Sequence, residues 1–242
     1  MTTEPILNAL VRPADDPLPI RDPLQLIPQS LTKLYSIWVN WTYPFASRGR
    51  RLSVHWTCDL SRPQAHRIKL GSSIQIRKDA ILEVVAPLDS NEEPIIVVDD
   101  NCLIAQRCLI SARNGIHIER DVIMGQGVLI SDHGHTDEHG MGSTGEAHSV
   151  KSGRIRIGKG SWLGKGATII CTQGELILGR NCVVAANAVV TESFPPYSVI
   201  FGNPGIVIRQ FDPVQHKWVS GPAANSKGGV GSPQPAEGAR HK

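Results

Sequence analysis

Residues 155–169 read IRIGKGSWLGKGATI, and within them Ile157, Leu163 and Ile169 stand six positions apart. The same interval recurs along the chain in runs of three: Leu70, Ile76 and Leu82; Val98, Ile104 and Ile110; Ile118, Met124 and Ile130; Leu178, Val184 and Val190. A period of six matches neither the 3.6 of a helix nor the 2 of an alternating strand. It fits a coil whose flat faces are short strands joined by tight turns, each triplet making one triangular turn. The aliphatic side chain then points inward and stacks on its equivalent in the next coil, so each coil buries its apolar face only against neighbours.

A small or modest side chain follows many of these positions by four: Ala80, Cys102, Cys108, Val122, Val128, Ser161, Ala167, Cys182 and Ala188. Cys102, Cys108 and Cys182 are therefore read as packing residues that behave as small hydrophobes. Gly71, Gly125, Gly158, Gly164 and Gly179 directly follow an inward residue, where a tight or unusual backbone is expected.

Composition agrees with a repetitive β architecture. Aromatic residues are 5% of the 242, while Gly (23) and Pro (17) are frequent. The net charge of +3 is mild, and no Lys/Arg stripe interleaves with aromatics, so a nucleic-acid partner is not expected. Five cysteines with no C-x-x-C pair indicate neither a disulfide framework nor a zinc ribbon. A reducing compartment follows, and with prolines and acids where a secretory leader needs a basic then apolar run, a cytoplasmic location is expected.

The ends differ from the repeat. Residues 1–29 are punctuated by prolines and read as an irregular arm. Leu31, Leu34, Trp38 and Trp41 then recur at helical spacing, predicting a helix over 31–43 with Ser30 as N-cap and Pro44 as stop. Residues 30–60 form a helix and connector. This unit has two readings: a cap over the open end of a solenoid, or, with Arg48, Arg50 and Arg51, a weak peripheral membrane contact through 31–51. Residues 213–242, which lose the period and are largely Gly, Pro, Ser, Ala and Lys beyond 220, read as a disordered tail.

Two interruptions break the register. Between Leu82 and Val98 lies a polar detour, read as a loop ejected from a coil. The longer break, from Ile130 to Ile157, opens with Asp132-His133-Gly134-His135 and carries His139, His148, Asp137, Glu138 and Glu146. Long loops inside a compact repeat are usually functional.

The hexad repeat, the Asp-His-Gly-His break, IRIGKGSWLGKGATI (155–169), VVAANAVVTESFPPYSV (183–199) and GNPGIVIR (202–209) together resemble the hexapeptide-repeat O-acetyltransferases, closest to the maltose and galactoside type. The similarity covers about residues 60–210. It implies an all-β fold, a left-handed parallel β-helix over 61–212 with a short N-terminal helix, an ejected active-site loop and the disordered tail. It also implies a homotrimer with active sites between subunits. The reaction implied is transfer of an acetyl group from acetyl-CoA, a co-substrate, to a hydroxyl of a sugar or polysaccharide precursor, with no metal.

Residue by residue, the resemblance makes His135, seventeen positions after Ile118, the general base. A neutral imidazole suits removal of a proton from a weakly acidic hydroxyl. His133 is its neighbour on the acceptor side. Asp132 is open to two uses, orienting the imidazole as in a triad or capping a loop turn; Glu146 is a second candidate for the orienting role. The oxyanion donor matches the backbone N–H of Lys165, after Trp162, Leu163 and Gly164. Trp162 lines the cleft or makes a trimer contact. Ala185, Ala186 and Asn187 stand where the family often has Gly-Ala-Gly against the pantetheine arm, with Thr191 and Arg209 at the nucleotide end. Glu192 and Ile206 replace residues that are usually basic. Arg113 stands where the galactoside enzymes place a carboxylate, which points to an acidic acceptor.

Two other classes compete with this reading. A γ-carbonic-anhydrase-like zinc enzyme of the same fold would use histidines, yet here His133, His135, His139 and His148 crowd one loop instead of adjacent coils. A non-catalytic β-helix scaffold is the second, favoured by Glu192 and Ile206.

Overall fold

The computed structural model describes residues 26–85, 93–136 and 149–220. Between Ser47 and Phe201 the chain winds as a parallel β-helix with three faces. The first face stacks Ser47–Arg48, Ile68–Leu70, Ile96–Val98, Ile116–Ile118, Arg154–Ile157 and Glu175–Leu178. The second stacks Ser53–Val54, Gln75–Ile76, Leu103–Ile104, Ile123–Met124, Trp162–Leu163, Val183–Val184 and Ser198–Phe201. The third stacks Ile81–Val84, Leu109–Ala112, Leu129–Ser131, Thr168–Ile170 and Val189–Val190.

All fifteen hexad aliphatics read from the sequence are at most 2% exposed, as are the nine residues in the small slots. Every inward position thus loses its water against the coil above and below, the contact on which a solenoid's stability rests. The cysteines complete this column. Cys102, Cys108 and Cys182 point their thiols at the carbonyls of Glu119, Gly125 and Pro195 at 3.2, 3.1 and 3.2 Å. Burial pushes all three thiols up in pKa, Cys102 to about 12.

The glycine expectation needs correcting. The left-handed residue lies three positions after the inward aliphatic, as at Gly127, Gly166 and Asn187 (φ 68°, 68° and 57°), and the glycine directly after it has another purpose. A Cβ on Gly164 would lie 2.6 Å from the Ala186 nitrogen, so its role is close approach of successive coils.

The outward rows differ among faces. Leu103, Ile123, Trp162, Val183 and Val199 align across the second, and Ile81, Leu109, Leu129, Thr168 and Val189 across the third. The first presents Lys69, Val97, His117, Arg156 and Ile177. Its polar pairs bind coils together: His117 Nε2 lies 3.0 Å from Asp99 Oδ2, and Glu119 accepts from Arg156 Nη2 at 2.6 Å and from the Lys159 N–H at 2.8 Å. Burial alone would push Glu119 up, but the Lys159 amide and the Arg156 guanidinium outweigh it and hold the carboxyl below its ordinary 4.5.

The helix, α1, spans Leu26–Thr42, starting earlier than predicted, so Ser30 lies within it and is not its cap. Pro28 is tolerated because it falls in the first turn. Ser36 Oγ accepts from the Val54 N–H at 2.9 Å, satisfying the edge of the first strand on the second face, and donates to the Thr32 carbonyl at 2.7 Å, with the Val54 carbonyl 3.1 Å away. The apolar period does not mark the packed side, however. Leu31, Leu34, Trp38 and Trp41 are exposed, while Ser36 and Val39 are buried.

At the other end, the tail boundary at 213 also needs correcting. Ile206–Asp212 and Lys217–Ser220 form an antiparallel hairpin that extends the second sheet, held by an edge-to-face contact of Phe211 with Trp218, centroids 5.4 Å apart. The arm before Leu26 and residues 221–242 lie outside the described residues.

Candidate active site

After Ser131 the chain leaves the third face at its edge with the first and forms an antiparallel ribbon, His133–Thr136 against Ser149–Ser152, with His135 paired to Val150. Its root is Asp132, which is fully buried. Oδ1 accepts from the Arg113 N–H at 2.7 Å, and Oδ2 from those of Asn114 and Gly115 at 2.8 and 2.6 Å. Its own carbonyl accepts from the Gly153 N–H at 2.7 Å, so one residue clamps both the departing strand and the returning one. A carboxylate suits this place because three converging amides make a small anion-binding concavity.

Of the two uses open to Asp132, the one visible here is the cap. The imidazole beside it is that of His133, with Nδ1 at 3.2 Å from Oδ1. The Ser131 hydroxyl holds the same histidine, donating to its carbonyl at 3.0 Å. For His135 the ribbon fixes the backbone, while the side chain lies outside the described residues, as do His139, Glu146 and His148 entire. Gly134 keeps the ribbon close to the coil, since an added Cβ would lie 2.8 Å from Thr172 Cγ2.

A second group gathers at the opposite edge of the third face, where it meets the second. Gly164–Ala167 is a tight turn closed by the Ala167 N–H on the Gly164 carbonyl at 3.1 Å, with Gly166 left-handed. That combination is the type II pattern, which leaves the N–H of its second residue, Lys165, without a backbone acceptor among the described residues. Gly125 leaves this nitrogen uncovered, because a Cβ there would stand 2.8 Å from it. Ala185 and Ala186 stack directly on Gly164, and Trp162, half-exposed, flanks the turn on the second face. An unspent amide beside a wall of small side chains is suited to receive a developing oxyanion.

The remaining candidates are spread. Arg113 sits under the ribbon, its guanidinium 3.4 Å from the Val85 carbonyl. Thr191 is exposed at the ribbon's edge of the third face, two coils further on. Arg209 lies on the terminal hairpin with its guanidinium 5.2 Å from the centre of the Trp218 ring. Within one chain the ribbon and the Lys165 amide are therefore separated by the width of the third face, on the order of 15 Å at about 3.3 Å per residue. Among the described residues no group of three His, Cys, Asp or Glu is placed to hold a metal ion.

Three roles enter only with the structure. Gly125 opens the Lys165 amide, Ser131 braces His133, and the Glu83 carboxylate accepts from Ser111 Oγ at 2.6 Å, in register with Ser131 across the face. Only Gly125 carried a sequence signal, its place in the hexad; the Glu83–Ser111–Ser131 row joins residues 28 and 20 apart in the chain and appears only when coils stack.

Residues 154–192 match the family model of the hexapeptide repeat of succinyl-transferase. Over 157 residues the chain is 28% identical to a protein of Escherichia coli named as the lipopolysaccharide biosynthesis O-acetyl transferase WbbJ, covering 62% of this chain and 79% of that one. The chain thus carries a hexapeptide repeat and is similar to acetyltransferases that carry one. Serine acetyltransferase 2 of Arabidopsis thaliana is 33% identical over 106 residues, 44% of this chain and 30% of its own length. The fold matches that of a variant of AntD, an N-acyltransferase from Bacillus cereus solved with dTDP-4-amino-4,6-dideoxyglucose and Coenzyme A, with a TM-score of 0.60 at 18% identity over 73% of this chain and 89% of AntD. The β-helix is accordingly the left-handed one.

Proposed function

We propose that the protein transfers an acetyl group from acetyl-CoA to a hydroxyl of a sugar or polysaccharide precursor, acting as a cytoplasmic homotrimer. His135 takes the acceptor's proton as its oxygen attacks the thioester carbonyl. The Lys165 N–H receives the oxyanion, and collapse of the tetrahedral intermediate expels the CoA thiolate, which recovers the proton from the imidazolium. Ala185 and Ala186 admit the pantetheine arm, with Thr191 and Arg209 toward the nucleotide. Arg113, His133 and Trp162 face the acceptor, and the arginine selects one that carries a carboxylate or phosphate. Asp132 acts as the anchor that presents the ribbon.

The observation that carries this reading is the uncovered Lys165 amide on a wall of small residues, one face away from the histidine ribbon. A trimer supports it by bringing the ribbon of one copy to the amide of the next. Two faces with apolar outward rows and one with charged pairs suit a closed ring in which unlike faces meet.

The test is thiol release from acetyl-CoA across a panel of neutral and acidic sugars and sugar nucleotides, for the wild type, His135→Ala, Lys165→Pro and the two variants co-expressed. Each variant alone is expected to lose acceptor-dependent release. Random mixing restores about a quarter of the sites if each needs two chains. Retained release in His135→Ala overturns the general base, and absence of recovery in the mixture overturns the shared site.

A further inference from the structure

The outward face of α1 remains unexplained by catalysis. At 100° per residue, Ile27, Leu31, Leu34, Trp38 and Trp41 fall within an arc of about 80°, and all five are exposed, Leu34 to 64% and Trp41 to 85%. Ile37, 66% exposed, widens the stripe on one side. On the opposite side Ser36 and Val39 are buried against the β-helix, with Ser36 bonded to Val54, so the apolar stripe is held outward by the helix's own seat. An amphipathic helix normally buries its richest apolar face; this one spends its narrow Ser36–Val39 side on the core, leaves Trp41 out and covers Trp38 only in part, with Tyr35 and Tyr43.

The charges around the stripe are mostly positive, with Asp59 near Tyr35 as an acidic neighbour. From Leu26 to Cys58 the chain has no acidic residue, while Lys33, Arg48, Arg50 and Arg51 are all exposed. Arg48 donates to Asn40 Oδ1 at 2.8 Å, which keeps its charge beside the last turns of α1. Arg62, also exposed, reaches the Thr42 carbonyl at 3.4 Å and lies 5.9 Å from the centre of the Tyr43 ring. A second copy seated stripe to stripe would bring these cations against their equivalents. An apolar surface with negative charge at its border has no such conflict.

We propose that α1 is an interfacial anchor that lays the Ile27–Leu31–Leu34–Trp38–Trp41 stripe into the surface of a bilayer containing anionic phospholipid, with Lys33, Arg48, Arg50 and Arg51 meeting the headgroups. At 17 residues, about 26 Å long, no part of it is long and apolar enough to cross a membrane, so it lies in the interface plane. Tryptophan side chains suit that depth, and each arginine near an anionic surface strengthens binding roughly fivefold.

The experiment is flotation of the full chain with phosphatidylcholine vesicles and with mixed phosphatidylcholine–phosphatidylserine vesicles, at low and raised salt. Binding to the anionic vesicles is expected, weakening at least tenfold on neutral vesicles and at raised salt. The pair Leu34→Ser and Trp41→Ser removes exposed side chains only, so its circular dichroism and thermal midpoint are expected unchanged while anionic binding falls tenfold or more. Arg50→Ser with Arg51→Ser provides a second variant that leaves the apolar stripe intact, and should cost more than tenfold at low salt and little at high salt. The proposal is overturned if the wild type floats with neither vesicle, or if both variants bind as the wild type does. It is also overturned if the Leu34/Trp41 variant changes the sedimenting mass, which would make a second copy the occupant, or lowers the thermal midpoint without vesicles, which would make another part of this chain the occupant.

Discussion

Replacing Asp132 by Asn separates anchoring of the ribbon from any direct action on an imidazole. The wild-type carboxylate serves three amides, Arg113 on one oxygen and Asn114 and Gly115 on the other. An asparagine has a single acceptor atom, so either one or two of these N–H groups must face an amide NH2 group. Hydrogen bonds to a charged group are worth about 1.5–3 kcal/mol each, which sets a gross loss of about 2–6 kcal/mol. Asn114 is exposed and Gly115 half-buried, so water recovers part of it and a net cost of about 2–4 kcal/mol is expected. In a chain of this size that lowers the thermal midpoint by roughly 5–15 °C. The amides of residues 113–115 should also lose hydrogen-exchange protection before the hexad strands do. Activity should fall with the ribbon's order. If thiol release is lost while the midpoint moves by less than about 1 °C and those amides stay protected, the anchoring argument is wrong and Asp132 works on an imidazole.

Two further predictions follow from the same geometry. Proline suits the second position of the type II turn at Gly164–Ala167 and removes only an N–H that has no backbone acceptor. Lys165→Pro should therefore fold with an unchanged midpoint yet lose about a hundredfold in kcat, whereas Lys165→Ala, which keeps the amide, should stay within severalfold of wild type; equal kcat values for the two would refute the oxyanion role. For Glu119, the folded pKa lies below its unfolded value, so its stabilising contribution is complete above about pH 4.5 and is lost as pH falls through the lower folded pKa. Glu119→Gln should flatten the acid side of a stability–pH curve measured by denaturant titration, and an unaltered slope below pH 4.5 would count against the pairing with Arg156 and Lys159.

Much of the candidate site's placement was legible because the hexad ties residue number to position in space. Once Ile118, Met124 and Ile130 are assigned to the three faces, the exit of the loop after Ser131 and the corner at Lys165 follow by counting, and both lie where the count puts them. The use of Asp132 was not legible, since its three donors come from the previous coil, 17 to 19 residues earlier. Nor was the purpose of Gly125 and Gly164: an unusual φ and a close neighbour leave the same letter in a sequence, and only stacked coils show that the neighbour is the reason.

By itself, then, the sequence determined the β-helix, its inward columns and the place of the break, because a period of six leaves the chain one way to bury its aliphatics coil upon coil. Tertiary structure alone decided which way α1 faces. Its apolar period identified a helix and one face of it, but the seat against the β-helix is set by the hydrogen-bonding needs of an open strand edge, which Ser36 meets at Val54 and no leucine or tryptophan can.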